Sequence, residues 1–184
     1  MNKKEIVAYF IVLTVIFALS SLAGYHTARN NPEEAEQFLH QFSSELGFIK
    51  FLPPIVIFLV IFLNNSIKAL IAMILGVFFG LVPIFFVFIN GFLVGLVLYT
   101  VGLKMGLKKV LMMILPHGII EIPAIILACS YGLWLGRMFY RRITGDRISI
   151  RSCIDVALSY YFKIVVPMLI VAAFVEAYIT PHFA

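Results

Sequence analysis

Charge is scarce in this sequence. Of its 184 residues only 14 are Lys or Arg and 9 are Asp or Glu, and the 53 residues from Phe51 to Leu103 hold a single charged side chain, Lys68. A soluble domain of this length needs a far more polar surface, so that class is excluded. Cysteine is scarce too. Cys129 sits in an apolar run and Cys153 in a basic loop, which gives neither a disulfide framework nor metal-ligand spacing. There is no His-Glu-x-x-His arrangement and no serine elbow, so the common signatures of zinc and serine hydrolases are missing and no catalytic residue is assigned. The net charge of +5 is scattered between apolar runs without a basic face of interleaved aromatics, which excludes nucleic acid as a partner.

What fills the chain instead is hydrocarbon. It is 62% hydrophobic with a mean hydropathy of +1.06, the composition of an all-α polytopic membrane protein whose first partner is the lipid bilayer. Lys3 and Lys4 precede an apolar run from Ile6 to Leu22, read as a retained anchor rather than a cleaved signal peptide because more spans follow it. Residues 24–50 form the one truly polar stretch. Asn31-Pro32-Glu33-Glu34 marks a helix start there, and Phe38, Phe42, Leu46 and Ile49 fall at helical spacing, so an amphipathic helix on the outer surface is expected. Two spans follow between Phe51 and Leu103, with a turn near Leu81-Val82-Pro83. The first would be about 43 Å long, against a hydrocarbon core of about 30 Å, so a break is expected at Asn64-Asn65-Ser66. A fourth span runs from Val110 to Gly136, a basic cytoplasmic loop occupies 137–155, and a last span from Val156 to Ile179 is kinked near Pro167. The five spans form a single membrane domain over residues 1–184.

Orientation follows from the cations. Lys3, Lys4, Arg137, Arg141, Arg142, Arg147, Arg151 and Lys163 fall inside, against Arg29, Lys50, Lys104, Lys108 and Lys109 outside. The expectation is a cytoplasmic-membrane protein with its N-terminus inside and its C-terminus outside.

One stretch stands out, Pro116-His117-Gly118-Ile119-Ile120-Glu121-Ile122-Pro123. Two prolines lack the N-H that the carbonyls of Met112 and Ile119 require, and Gly118 relaxes the backbone between them, so an interrupted helix is expected near Pro116-Gly118. His117 and Glu121 are the ionisable groups of this segment and stand at membrane depth, where such groups are costly. Counted from the span ends, Asn65, Asn90, His117 and Glu121 converge at about 14 to 20 Å depth, with Glu176 nearer the outer surface and His182 beyond it. Three readings of these polar groups stay open: a structural lock, an ion or substrate site on Asn65, Asn90, His117, Glu121 and Glu176, and a divalent metal ion on His117 and Glu121, which would still need a third ligand.

Glycines recur at i, i+4 as Gly76/Gly80, Gly91/Gly95, Gly102/Gly106 and Gly132/Gly136, a pattern that lets helix backbones approach closely. Packing within one bundle and the seam of a homo-oligomer, a dimer foremost, both fit. Asn65 precedes Gly76-x-x-x-Gly80 by the 11 residues that separate Glu121 from Gly132-x-x-x-Gly136, a weak internal repeat.

Asn64-Asn65, Gly76-x-x-x-Gly80, Pro83, Asn90-Gly91 with Gly95, Pro116-His117-Gly118-x-x-Glu121 and Ala172-Ala173-x-x-Glu176-Ala177-Tyr178-Ile179-Thr180-Pro181 together resemble the stage II sporulation protein M family over about residues 52 to 181. The resemblance implies a multi-span helical fold. It also implies a non-enzymatic membrane scaffold with a membrane or cell-envelope protein partner, since the namesake holds a lytic transglycosylase and an amidase that cut peptidoglycan. A small channel or transporter for an ion or small solute is the alternative, and a metal-dependent membrane hydrolase comes third.

Overall fold

The computed structural model of the chain describes residues 3–46 and 52–183, and every regular element among them is helical. In order these are α1 (Lys3–Asn30), α2 (Pro32–Leu46), α3 (Pro54–Leu75), α4 (Leu81–Met105), α5 (Leu107–Ile143), α6 (Ile150–Tyr160) and α7 (Val166–Phe174). A π-helical turn, Tyr161–Val165, joins α6 to α7; a second, Val175–Ile179, and a 3-10 turn, Thr180–Phe183, complete a continuous closing helix. Five helices are long and apolar enough to cross a membrane: α1, α3, α4, α5 and the closing helix. The chain is a multi-pass membrane protein.

The breaks fall elsewhere than the sequence suggests. Helix α3 passes through Asn64 and Asn65 without interruption, because Asn64 Nδ2 donates to Asn65 Oδ1 at 3.2 Å and neither side chain displaces a backbone bond. It is also short, 22 residues or about 33 Å, so the length that demanded a break is absent. Helix α5 likewise runs unbroken through Pro116 and Pro123 for 37 residues. A proline removes one helix bond, and in lipid the freed groups find no better partner than the helix they leave.

The closing helix does yield. A proline ring crowds the carbonyl four residues earlier, which is Lys163 for Pro167 and Ala177 for Pro181. Each of those residues is the centre of one of the two π-helical turns. Widening the turn relieves the clash, and such turns often mark functional positions.

The connections are short. The turn after α3 is Gly76–Gly80, ahead of the expected Leu81–Pro83, and Pro83 stands inside the first turn of α4. Phe79 there takes φ 55, unusual for a bulky residue, followed by Gly80 at φ 74. Gly106 alone, at φ 86, reverses the chain between α4 and α5. The polar segment expected from residue 24 begins later, since α1 continues to Asn30 with Gly24 and Ala28 buried. The basic loop is correspondingly short, between Ile143 and Ile150, flanked by helix on both sides.

Helix α2 starts at Pro32 as its signal predicts. It turns Ala35 and Leu39, rather than Phe38, toward Ala28, Phe92 and Leu96 of α1 and α4, and Phe38 remains exposed. Ile49 and Lys50 lie outside the described residues, and so do the side chains of Phe42 and Leu46. An ion pair from Lys104 to Glu36 pins α2 to the end of α4. At the opposite end of the bundle Arg137 pairs with Glu5 at 2.9 Å, so the start of α1 and the end of α5 share one side.

Glycines set how closely the helices approach. Along α1 and α4, a Cβ added to Gly91 or Gly95 would overlap the backbone at Phe17 or Ser21, and one added to Gly24 would overlap Phe92. Ser21 Oγ donates to Gly91 O at 2.8 Å across this seam. On the other side Gly76 lies against the backbone of Gly132, and Gly136 against Gly80 and Gly76, so the two halves of the apparent repeat are packed on each other. Three of the four glycine pairs therefore serve the interior of one chain.

Candidate functional site

Helix α5 is the hub, touching α1, α3, α4, α6 and α7. Because it stays helical through Pro116–Pro123, His117 and Glu121 lie one turn apart on a common face. That face borders α4 and α1. Asn90, His117 and Glu121 line a cavity of about 90 Å³ whose other walls are apolar, among them Phe17, Ile122 and Ile125.

Glu176 approaches His117 from the closing helix, outside the cavity lining. Its Oε2 lies 2.5 Å from His117 Nδ1, and the two side chains are only 31% and 20% exposed. The contact is one of ion-pair distance: among the described residues neither atom completes a hydrogen bond, and Thr180 also stands beside the Glu176 carboxylate. The depth count put Glu176 nearer the surface than His117. The structure pairs them: Glu176 lies in the second π-helical turn, and His117 is only ten residues from the start of α5. The signal that could have found the pairing was in the sequence: Pro181 implies a distortion around Ala177, next to Glu176.

Glu121 is different. It feels the charges of His117 and Glu176, yet among the described residues it forms neither an ion pair nor a hydrogen bond. Asn90 Nδ2 donates to Phe86 O at 2.7 Å, a back-bond within α4 that orients the amide. Asn65 does not line the cavity; it accepts from Asn64. His182 follows in the terminal 3-10 turn and stays exposed. Of the four residues expected to converge, Asn90, His117 and Glu121 line one cavity and Asn65 does not, while Glu176, expected nearer the surface, meets His117. His117 and Glu121 supply two candidate metal ligands, and among the described residues no group of three His, Cys, Asp or Glu stands at metal-binding spacing.

Sequence reasoning missed one further polar contact at depth. Tyr161, fully buried in the first π-helical turn, donates its hydroxyl to Ser66 O of α3 at 2.6 Å. Pro167 was the available signal, since the carbonyl it crowds lies in that turn.

The family model described as stage II sporulation protein M matches residues 13–181, and the chain belongs to that family. The match includes most of α1, which the motifs alone did not reach. An uncharacterized protein of Methanocaldococcus jannaschii is 33% identical over 131 residues, 67% of this chain and 56% of that protein. The chain thus spans just over half the length of that relative. A second uncharacterized protein of the same organism is 28% identical over 185 residues, 95% of each chain. No solved structure matches.

Proposed function

For this member of the stage II sporulation protein M family, we propose a non-enzymatic membrane scaffold that presents a rigid five-helix platform to a membrane or envelope protein. The observation that carries this reading is the pairing of His117 Nδ1 with Glu176 Oε2 at 2.5 Å. It joins the hub helix to the closing helix at depth, where a polar contact has no water to compete with it. Glycine-backed seams between α1 and α4 and between the α3 turn and α5 add stiffness of the kind a platform needs. The exposed side of α2, held by the Lys104–Glu36 pair, is the surface on which a partner would be recruited.

The test is crosslinking in intact membranes followed by identification of the captured protein, for the wild type and for His117→Ala. The scaffold reading expects one partner captured by the wild type and less of it by the variant. Recovery of the chain alone from both samples counts against it.

A second reading is favoured by a separate observation. Among the described residues Glu121 forms no ion pair or hydrogen bond, and it lines a cavity, as a side chain that binds an ion or small solute would. A small channel or transporter would use Asn90, His117 and Glu121 along its path. Reconstituted vesicles separate the two readings: solute flux that Glu121→Gln abolishes in a folded protein supports transport, and absence of flux supports the scaffold.

A further inference from the structure

The cavity between α1, α4 and α5 has an unbalanced set of groups. Glu121 lines it and Glu176 meets His117 from outside the lining, so two carboxylates share one imidazole, and even a protonated His117 leaves an uncompensated negative charge if both acids are ionised. Glu176 takes His117 Nδ1 for itself. Among the described residues no Lys or Arg is paired with Glu121.

The remaining polar valences all point to a donor. Asn90 must place its NH₂ on Phe86 O, because a carbonyl can only accept, and this leaves Asn90 Oδ1 free to accept. Nδ1 of His117 lies against the Glu176 carboxylate, and the neutral tautomer with its proton on Nδ1 leaves the other ring nitrogen, Nε2, to accept. Glu121 contributes carboxylate oxygens. With His117 neutral, three acceptors and a net negative charge match an ammonium group with its three N–H donors.

The rest of the cavity sets what that ammonium carries. Phe17, Val87, Ile122 and Ile125 offer hydrocarbon and no oxygen, a poor surrounding for a metal ion that keeps its waters. About 90 Å³ is room for a few heavy atoms, well short of the ~150 Å³ that accommodates a benzene ring. We propose that this cavity is a binding site for a small alkylammonium ion, held by Glu121, Asn90 and His117 with its alkyl group against the apolar wall. The inference deepens the ligand-binding reading of the cavity, but it concerns occupancy and does not require flux.

Equilibrium dialysis of the full-length chain in detergent against radiolabelled methylammonium, in excess sodium chloride, tests it. The expected result is saturable binding of one ion per chain, displaced by ethylammonium. Glu121→Gln and Asn90→Leu should each weaken it at least tenfold, while the fluorescence of buried Trp134 reports intact folding. Asn90→Leu decides the matter if Glu121→Gln does not fold. No saturable binding, binding unchanged in a folded variant, or zinc or magnesium taken up with methylammonium excluded would each overturn the proposal. Binding without flux in vesicles would uphold it and remove the transport reading, so the two fail separately.

Discussion

The two halves of α5 differ more than any two helices of the bundle. From Leu107 to Ile122 only Val110 and Gly118 are buried, whereas from Ala124 to Met138 twelve residues are, including Cys129, Ser130, Trp134 and Leu135. The first half holds His117, Glu121 and the cavity. The second holds Gly132 and Gly136, on which the α3 turn rests. One continuous helix thus separates two tasks: the tight half fixes the bundle, and the loose half keeps room for polar chemistry. Unpartnered polar groups are tolerated in the loose half because the packing there leaves a cavity that a ligand or water can fill.

Substitution in the tight half should have the largest effect. Gly132→Leu would drive a side chain into Pro83 and the backbone of Met73, neither of which is a flexible side-chain end. The expected loss is at or beyond ~3 kcal/mol, the upper end of ordinary overpacking, with aggregation on extraction. Thermal unfolding in detergent, followed through Trp134, measures it. A stable Gly132→Leu would erase the distinction between the halves.

In the loose half the effect should be smaller and specific to a pair. A double-mutant cycle on His117→Ala and Glu176→Gln is expected to give a coupling of about 1 to 3 kcal/mol, since the two side chains are in direct contact and half-buried. Additive losses in the same unfolding measurement would mean the contact does not tie α5 to the closing helix.

The same division explains what could be read from the sequence. Span number, the start of α2 at Pro32 and the packing role of three glycine pairs were legible because they depend on local composition and on residues without side chains. The polar site was legible in its members Asn90, His117, Glu121 and Glu176, as groups too costly to leave in lipid without a use. Its geometry was not. Proline looks the same at 116, 123, 167 and 181, and whether a helix absorbs it or widens depends on neighbours that sequence does not place. Asn65 was drawn into the cluster by depth alone, which fixes a level in the membrane but not a side of the helix.

The closing helix offers a finer test of the buried polar contacts. Tyr161→Phe keeps the ring in its buried site and removes only the hydroxyl bond to Ser66 O. The expected loss is about 1 kcal/mol, the net worth of one hydrogen bond. A much larger loss would show that this contact, rather than Pro167, maintains the first π-helical turn.

The smallest effect is expected at the fourth glycine pair, and it bears on how the other three are interpreted. Gly102 and Gly106 repeat the same spacing, but a Cβ on Gly102 meets only Leu107 at 3.9 Å, an ordinary contact, and one on Gly106 meets nothing. Close packing inside the chain therefore does not require glycine at either place. Gly106 has a different reason, its φ of 86, so Gly106→Ala should lose about 1 to 2 kcal/mol through the backbone alone. Gly102→Ala, in a regular helix, should be neutral or stabilising by up to ~1 kcal/mol. If both variants unfold as readily as Gly132→Leu, spacing rather than packed environment governs these glycines. If Gly102→Ala is neutral in stability yet shifts the sedimentation of the detergent complex, the fourth pair is where two copies meet. Neutrality in both measurements would leave glycine at 102 without a packing role, and the other three pairs as the whole of the small-residue framework.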